Sequence, residues 1–197
     1  MRSKLNPVIL QGAVVLIFAA PVLWQLLTVH SPWFVRQERL MAITGLWGLR
    51  FLVVTLALRP AAELFRQAWL LRCRRAVGLS AFAYALTHAA IYFVRSEVWT
   101  HWNDLLQPYL VIGISVLVLM LPMAATSAQI MVRALGASLW RRLHQAIYLA
   151  APLVIVHAVL VDRWDLDAWL YGAAVAVLLA WRLRGLRRAR PDRRQPA

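Results

Sequence analysis

The sequence predicts an all-α membrane protein, a bundle of six transmembrane helices with both termini in the cytoplasm. Of its 197 residues, 62% are hydrophobic, more than the polar surface of a soluble domain could cover. The formal net charge is nevertheless +14, and most charged residues lie between apolar stretches rather than inside them. Each apolar stretch is close to the ~20 residues that cross a bilayer as a helix.

Six apolar stretches are the predicted spans: 8–29, 43–59, 77–95, 109–126, 140–161 and 168–183. The first has a basic start, as a signal peptide would. It is longer than the usual hydrophobic region of such a peptide and lacks a clear cleavage site, so a retained span is favoured. Residues 1–183 are therefore one predicted transmembrane domain, and residues 184–197 are a basic cytoplasmic tail.

Charge asymmetry between the loops sets the predicted orientation. Cations lie before the first span and after the second, fourth and sixth: Arg2, Lys4, Arg59, Arg66, Arg72, Arg74, Arg75, Arg133, Arg141, Arg142, Arg184, Arg187, Arg188, Arg190, Arg193 and Arg194. The alternate loops hold most of the acids: Glu38, Glu97, Asp104, Asp162, Asp165 and Asp167. The positive-inside rule places the basic loops and both termini in the cytoplasm.

Composition also argues against two other classes of site. The basic residues neither line one helix face nor alternate with exposed aromatic residues, so no nucleic-acid partner is expected. The single cysteine, Cys73, excludes a disulfide within the chain and a cysteine-based zinc or iron–sulfur site.

Two histidines lie at matching depth in different predicted spans. His88 follows Arg75 by thirteen residues, and His157 follows Arg142 by fifteen. At the rise of an α-helix they lie ~20 Å and ~22 Å from the cytoplasmic boundary. Histidines inside a membrane are costly, and paired imidazoles at one level are typical axial ligands of a haem. Hydrogen-bonded core histidines or a proton path are the alternative interpretation.

His144 lies near the cytoplasmic boundary, thirteen residues before His157. Along a helix that is ~20 Å, too far for one shared iron. His144 would therefore bind a second haem nearer the cytoplasm, or it would be a solvated interfacial side chain. His30 and His101 fall in predicted outer loops and are expected to be solvated.

Charged side chains suggest further contacts to a cofactor. Arg50 lies inside the second span, and no acidic residue lies in any span, so a haem propionate is a candidate partner. Snorkelling toward the interface is the alternative. The cluster Arg72, Arg74 and Arg75 is suited to a phosphate, for example that of FMN, or acts only as a topology signal beside anionic lipid.

Several short motifs, in a fixed order, resemble the MsrQ (YedZ) family of ferric-reductase-like transmembrane domains. They are Thr44-Gly45, Arg72-x-Arg74-Arg75-x-x-Gly78-Leu79, Leu86-Thr87-His88, Pro108-Tyr109-Leu110, Ala125-Thr126-Ser127 and Leu135-Gly136-x-x-x-Trp140-x-x-Leu143-His144-x-x-x-Tyr148, followed by His157. Members of this family are haem-binding subunits of the bacterial periplasmic methionine sulfoxide reductase system. The resemblance covers nearly the whole chain.

The resemblance implies a multi-pass protein of the bacterial inner membrane that binds one or two b-type haems, with FMN as a second cofactor. Electrons would come from a cytoplasmic flavin reductase or from quinol and pass to MsrP, a periplasmic molybdenum enzyme that repairs oxidised methionines. His88, His144 and His157 match the family's histidines. Gly78 occupies the place where related oxidases carry an inner ligand, and Ala42 and Gln107 also depart from the family pattern.

The resemblance thus favours an electron-transfer subunit, with no catalytic residues of its own, rather than the catalytic subunit of an oxidoreductase. A ferric reductase or oxidase-type haem subunit is the first alternative. It would need a separate flavin reductase, because the sequence has no Gly-rich phosphate loop. A cofactor-free membrane scaffold or transporter is the second alternative.

Overall fold

The structure of the chain is a computed structural model, and it describes residues 19–21, 23, 24, 33–96, 102–163 and 165–188. All regular elements in these residues are helical, which confirms the all-α prediction for this part of the chain. The α-helices are α1 (Trp33–Leu64), α2 (Leu70–Arg95), α3 (Pro108–Ala125), α4 (Gln129–His144), α5 (Ile147–Val161) and α6 (Leu166–Arg188). A 3₁₀ helix, Trp102–Leu106, precedes α3.

Five segments of the described chain are long and apolar enough to cross a membrane: Val35–Leu64, Leu70–Arg95, Pro108–Ala125, Gln129–Val161 and Leu166–Arg184. They correspond to the second to sixth predicted spans. The first predicted span, 8–29, lies outside the described residues except for 19–21, 23 and 24, which are helical. The count of six spans and the position of the termini therefore stay predictions.

The helices extend beyond the apolar stretches that predicted them. Helix α1 has 32 residues, whereas the sequence predicts a span of only 43–59. Its helical hydrogen bonding continues beyond both ends of the apolar stretch. Residues 129–139, between the fourth and fifth predicted spans, belong to helix α4, which also contains residues 140–144 of the predicted fifth span. Its alternation of arginines with apolar side chains lowers the mean hydropathy, which hides the helix from a search for apolar stretches.

Contacts between the helices fix their directions. Arg95 at the end of α2 forms an ion pair with Glu38 near the start of α1, so these helices are antiparallel. Trp140 Nε1 of α4 donates to the Thr126 carbonyl, 2.9 Å away, at the end of α3. We call the end that holds the α1–α2 turn and the α3–α4 turn the basic end. The far end is where α1, α3 and α6 begin and where α2 and α5 finish.

Two helix pairs form the bundle. α1 packs mainly on α2, α3 packs mainly on α5, and α6 contacts both α5 and α1. The shared core includes Leu52, Ala81, Ala150 and Ala151, each at most 2% exposed. Large apolar side chains face outward elsewhere; they include Val118, Leu149 and Val177. An apolar exterior around a packed apolar core is what a lipid environment requires.

Helix α4 breaks at Gly136, whose φ is 74° and ψ is 150°. This backbone region is nearly closed to residues with a Cβ, although nothing lies within 4 Å of the position where a Cβ would stand. The need for glycine here is therefore conformational rather than a matter of space.

We predict that Gly136→Ala lowers the free energy of unfolding by about 1–3 kcal/mol, because alanine must adopt a strained backbone. Thermal unfolding followed by circular dichroism in detergent measures this. Gly78→Ala is the matched control. Gly78 is helical, and an added Cβ would meet Thr55 Cγ2 at 3.7 Å, an ordinary contact. Equal midpoints for both variants would contradict the explanation.

Candidate functional site

Two histidines from different helices meet near the far end of the bundle. His88 of α2 and His157 of α5 have ring centroids 6.3 Å apart, and the ring planes are perpendicular, at 88°. His88 lies seven residues before the end of α2, and His157 lies four residues before the end of α5. The structure thus brings together the two histidines that the sequence places at matching depth.

A backbone carbonyl of a neighbouring helix orients each ring. His88 Nδ1 lies 2.8 Å from the Met41 carbonyl oxygen of α1. His157 Nδ1 lies 2.8 Å from the Tyr109 carbonyl oxygen of α3. A carbonyl oxygen only accepts, so Nδ1 carries the hydrogen in both rings and donates it. In a neutral imidazole the other nitrogen, Nε2, is then unprotonated and able to bind a metal.

A glycine makes room for each ring. An added Cβ at Gly45 would stand 3.0 Å from two atoms of the His88 ring, and one at Gly113 would stand 2.9 Å from His157 Cε1. Each glycine follows its accepting carbonyl by four residues, as Gly45 follows Met41 and Gly113 follows Tyr109. The same local arrangement, carbonyl, glycine and imidazole, therefore occurs twice.

The spacing of the pair fits a single metal held between the rings. Two imidazole nitrogens bound at about 2 Å each would separate the ring centroids by roughly 6 Å. The described residues hold no group of three or more His, Cys, Asp or Glu side chains that could complete a protein-only metal site. A metal that brings its own remaining ligands, as a haem iron does, fits this donor set.

Arg50 lies further along α1 toward the basic end, and its contacts are aromatic and neutral. Its Nε donates to the Tyr171 hydroxyl of α6 at 2.9 Å. Its guanidinium lies 4.9 Å from the centroid of the Trp47 ring. No carboxylate among the described side chains is paired with Arg50, so the described residues supply no counter-ion to this half-buried positive charge.

His144 is separate from the histidine pair. It ends α4 at the basic end, where its ring stacks on Trp140 with centroids 4.0 Å apart. Its Nδ1 lies 3.1 Å from the Trp140 carbonyl oxygen. No other described histidine contacts it, and His30 and His101 lie outside the described residues. Its role as a ligand of a second haem stays a prediction.

The arginine cluster of α2 is divided by the helix. Arg74 is half-buried and lines a groove at the basic end together with Arg59 and Arg66. Arg72 and Arg75 are exposed and do not line that groove. Residues one or two positions apart point to different faces of a helix, which explains the division.

The sequence did not predict the residues that support the histidine pair or Tyr171, which supports Arg50. Met41 and Tyr109 contribute only backbone carbonyls, which every residue type possesses. Gly113 and Tyr171 look like ordinary packing residues in an apolar helix. The equal spacing of Met41 to Gly45 and of Tyr109 to Gly113 is the one available signal, and it has meaning only once the histidine partners are known.

Known proteins match the chain over most of its length. Residues 40–155 match the family model described as ferric reductase like transmembrane component. The chain is 34% identical over 189 residues to the protein-methionine-sulfoxide reductase heme-binding subunit MsrQ of Caulobacter vibrioides, covering 92% of this chain and 90% of that protein. It is 38% identical over 155 residues to MsrQ of Azospira oryzae, covering 74% and 65%. It is 40% identical over 144 residues to MsrQ of Xanthomonas oryzae pv. oryzae, covering 71% and 66%. The chain thus spans just under two thirds of the length of the last two relatives.

We predict that Gly113→Ala reduces haem retention roughly tenfold or more, because the new Cβ displaces the His157 ring from its carbonyl. The absorbance of bound haem per polypeptide after purification measures this. Gly48→Ala is the control, since its Cβ would lie 3.5 Å from the nearest atoms of α2. Haem retention equal in the two variants would show that ring placement does not depend on Gly113.

Proposed function

The chain belongs to the MsrQ family of ferric-reductase-like membrane proteins, and we propose that it is a b-type haem electron-transfer subunit of a methionine sulfoxide reductase system. The observation that carries the proposal is the His88–His157 pair, 6.3 Å between ring centroids, with each Nδ1 engaged by a backbone carbonyl. The names of the relatives, which describe heme-binding subunits, support the same cofactor.

His88 and His157 would be the two axial ligands. When bound, the haem supplies a one-electron carrier through the ferric and ferrous states of its iron. The Met41 and Tyr109 carbonyls hold the Nδ1 hydrogens and raise the basicity of the two Nε2 atoms. With both histidines as its ligands, the iron would have no position free to bind a substrate directly. This argues for electron transfer and against a catalytic role for the chain itself.

Arg50 would hold a propionate carboxylate of the haem. It has a fixed positive charge and donors in a planar fork, and Tyr171 orients its Nε. A charge-assisted hydrogen bond between guanidinium and carboxylate would compensate the charge in the apolar bundle. Snorkelling toward the far end is the alternative, and the aromatic contact with Trp47 is compatible with both.

We infer the direction of transfer from the two ends of the bundle. The positive-inside rule places the basic end in the cytoplasm, so the His88–His157 pair lies near the periplasmic face of a bacterial inner membrane. A periplasmic MsrP-like molybdoenzyme would accept electrons there, and a cytoplasmic flavin reductase or quinol would supply them. We further propose FMN on the cytoplasmic side, its phosphate near Arg74 and Arg75, and a second haem on His144.

We predict that His88→Ala and His157→Ala each abolish the same low-spin b-type spectrum, because either change removes one axial ligand from the same iron. Reduced-minus-oxidised spectra of the purified protein measure this. His144→Ala is the comparison: it should leave the haem of the His88–His157 pair bound. Unchanged spectra in both His88→Ala and His157→Ala would refute the pairing, and a colourless native protein from haem-replete cells would favour the scaffold alternative.

We predict that Arg50→Gln weakens haem retention by roughly tenfold to a hundredfold, as expected for one charge-assisted hydrogen bond of about 1.5–3 kcal/mol. The midpoint potential should also become more negative, because a nearby positive charge favours the reduced state. Arg50→Lys keeps the positive charge but loses the planar arrangement of donors. Its midpoint potential should therefore be closer to the native value than its haem retention is. A potential unchanged in Arg50→Gln would leave snorkelling as the role of Arg50.

A further inference from the structure

A groove at the basic end of the bundle includes Arg74, one of the two arginines proposed above to lie near an FMN phosphate. It encloses about 630 Å³ between the end of α1 and the start of α2. Its lining residues are Arg59, Ala62, Glu63, Arg66, Ala68, Leu71 and Arg74. Three arginines therefore line one groove together with a single acidic residue, Glu63.

The charges of the groove are only partly compensated. Arg59 Nε and Glu63 Oε1 form an ion pair of 3.0 Å one helical turn apart on α1. Neither Arg66 nor Arg74 is paired with a carboxylate of the described residues. The groove thus presents two positive charges beyond the internal pair, and these would attract the single negative charge of a phosphodiester.

Arg66 occupies a position that favours glycine. Its φ is 54°, the one non-glycine residue of the described chain with positive φ. The Gln67 N–H donates to the Ala62 carbonyl at 3.0 Å, the closure typical of a Schellman-type helix end, in which glycine usually takes the left-handed position. An arginine in this left-handed conformation has an unfavourable backbone energy. The turn that the conformation produces brings Arg66 to the lining of the groove.

Four apolar side chains, Leu71 of the groove lining and three that adjoin lining residues in sequence, are exposed, and we call them the apolar rim. Leu64, Phe65, Trp69 and Leu71 are 70%, 64%, 45% and 45% exposed. They lie at or beside the facing ends of two candidate spans, Val35–Leu64 and Leu70–Arg95, where a membrane interface is expected. None of the seven lining residues is aromatic, so the groove has no surface on which a flavin ring would stack.

We propose that this groove binds the phosphate of an anionic phospholipid of the surrounding leaflet, with the acyl chains lying over the apolar rim. Arg75, which is exposed and outside the groove, is then the arginine left for an FMN phosphate. Arg59, Arg66 and Arg74 contact the phosphate, and Leu71 contacts the start of a chain. Basic pockets between helices at the cytoplasmic face are suited to such headgroups. A soluble phosphate ester, such as FMN, shares the anionic chemistry but lacks the chains.

Titration of the delipidated full-length protein with phosphatidylglycerol, followed by native mass spectrometry, tests the proposal. Arg66→Gly removes the charge and also relieves the backbone, so it should fold and bind roughly fivefold more weakly. The double variant Arg59→Gln, Arg66→Gly should bind phosphatidylglycerol roughly fivefold more weakly again. Arg133→Gln removes an exposed charge of α4, outside the groove, and should bind as the native protein does. Binding by the double variant as tight as by Arg133→Gln would overturn the proposal.

Two further measurements separate a specific site from general attraction. Glu63→Gln removes the one negative charge of the groove and should tighten phosphatidylglycerol binding several-fold, an effect that lost structure would not produce. Phosphatidylcholine should not compete, and neither inorganic phosphate nor FMN should displace the lipid. Displacement by FMN would assign the groove to the soluble ester and overturn the lipid proposal, while the His88–His157 spectrum tests the electron-transfer function independently.

Discussion

The site depends on one hydrogen bond made twice: an imidazole N–H donating to a helix carbonyl across a glycine. An imidazole in an apolar bundle must satisfy its polar nitrogens, and here the Nδ1 of each ring is satisfied by a backbone carbonyl. Backbone carbonyls have a second lone pair beyond the one used within the helix, so they accept this bond without breaking the helix. The glycine then sets how closely the ring can approach.

This constraint organises the helix pairs. In the α1–α2 half, Met41 and Gly45 face His88, and in the α3–α5 half, Tyr109 and Gly113 face His157. The donor and acceptor are 47 residues apart in one half and 48 in the other. The two halves thus share one geometry although their side chains differ. The two rings, 6.3 Å apart between centroids, are one contact between the halves, and the hydroxyls of Tyr92 and Tyr109, 3.4 Å apart, are another.

Residue types and distances along the helices were enough to foresee the pairing of His88 with His157. Each depth could be counted from an arginine at the membrane boundary, and helical rise is constant. Helix α4 could not be foreseen in the same way, because its arginines mask its apolar residues. Arg59 and Arg66 looked like ordinary topology signals, since only the fold brings them into one groove with Arg74. The supporting carbonyls of Met41 and Tyr109 could not be foreseen at all, since a backbone acceptor leaves no mark on the residue type.

The repeated arrangement has a consequence for biogenesis. Each half contains both partners of its own hydrogen bond, so His88 can be aligned as soon as α2 has been inserted against α1, before α3 to α5 leave the ribosome. The second half can align His157 in the same manner. Both rings are then already oriented by their backbone carbonyls when the two halves pack together. Insertion of the cofactor would be the last step of assembly. The metal would then link the α1–α2 half to the α3–α5 half.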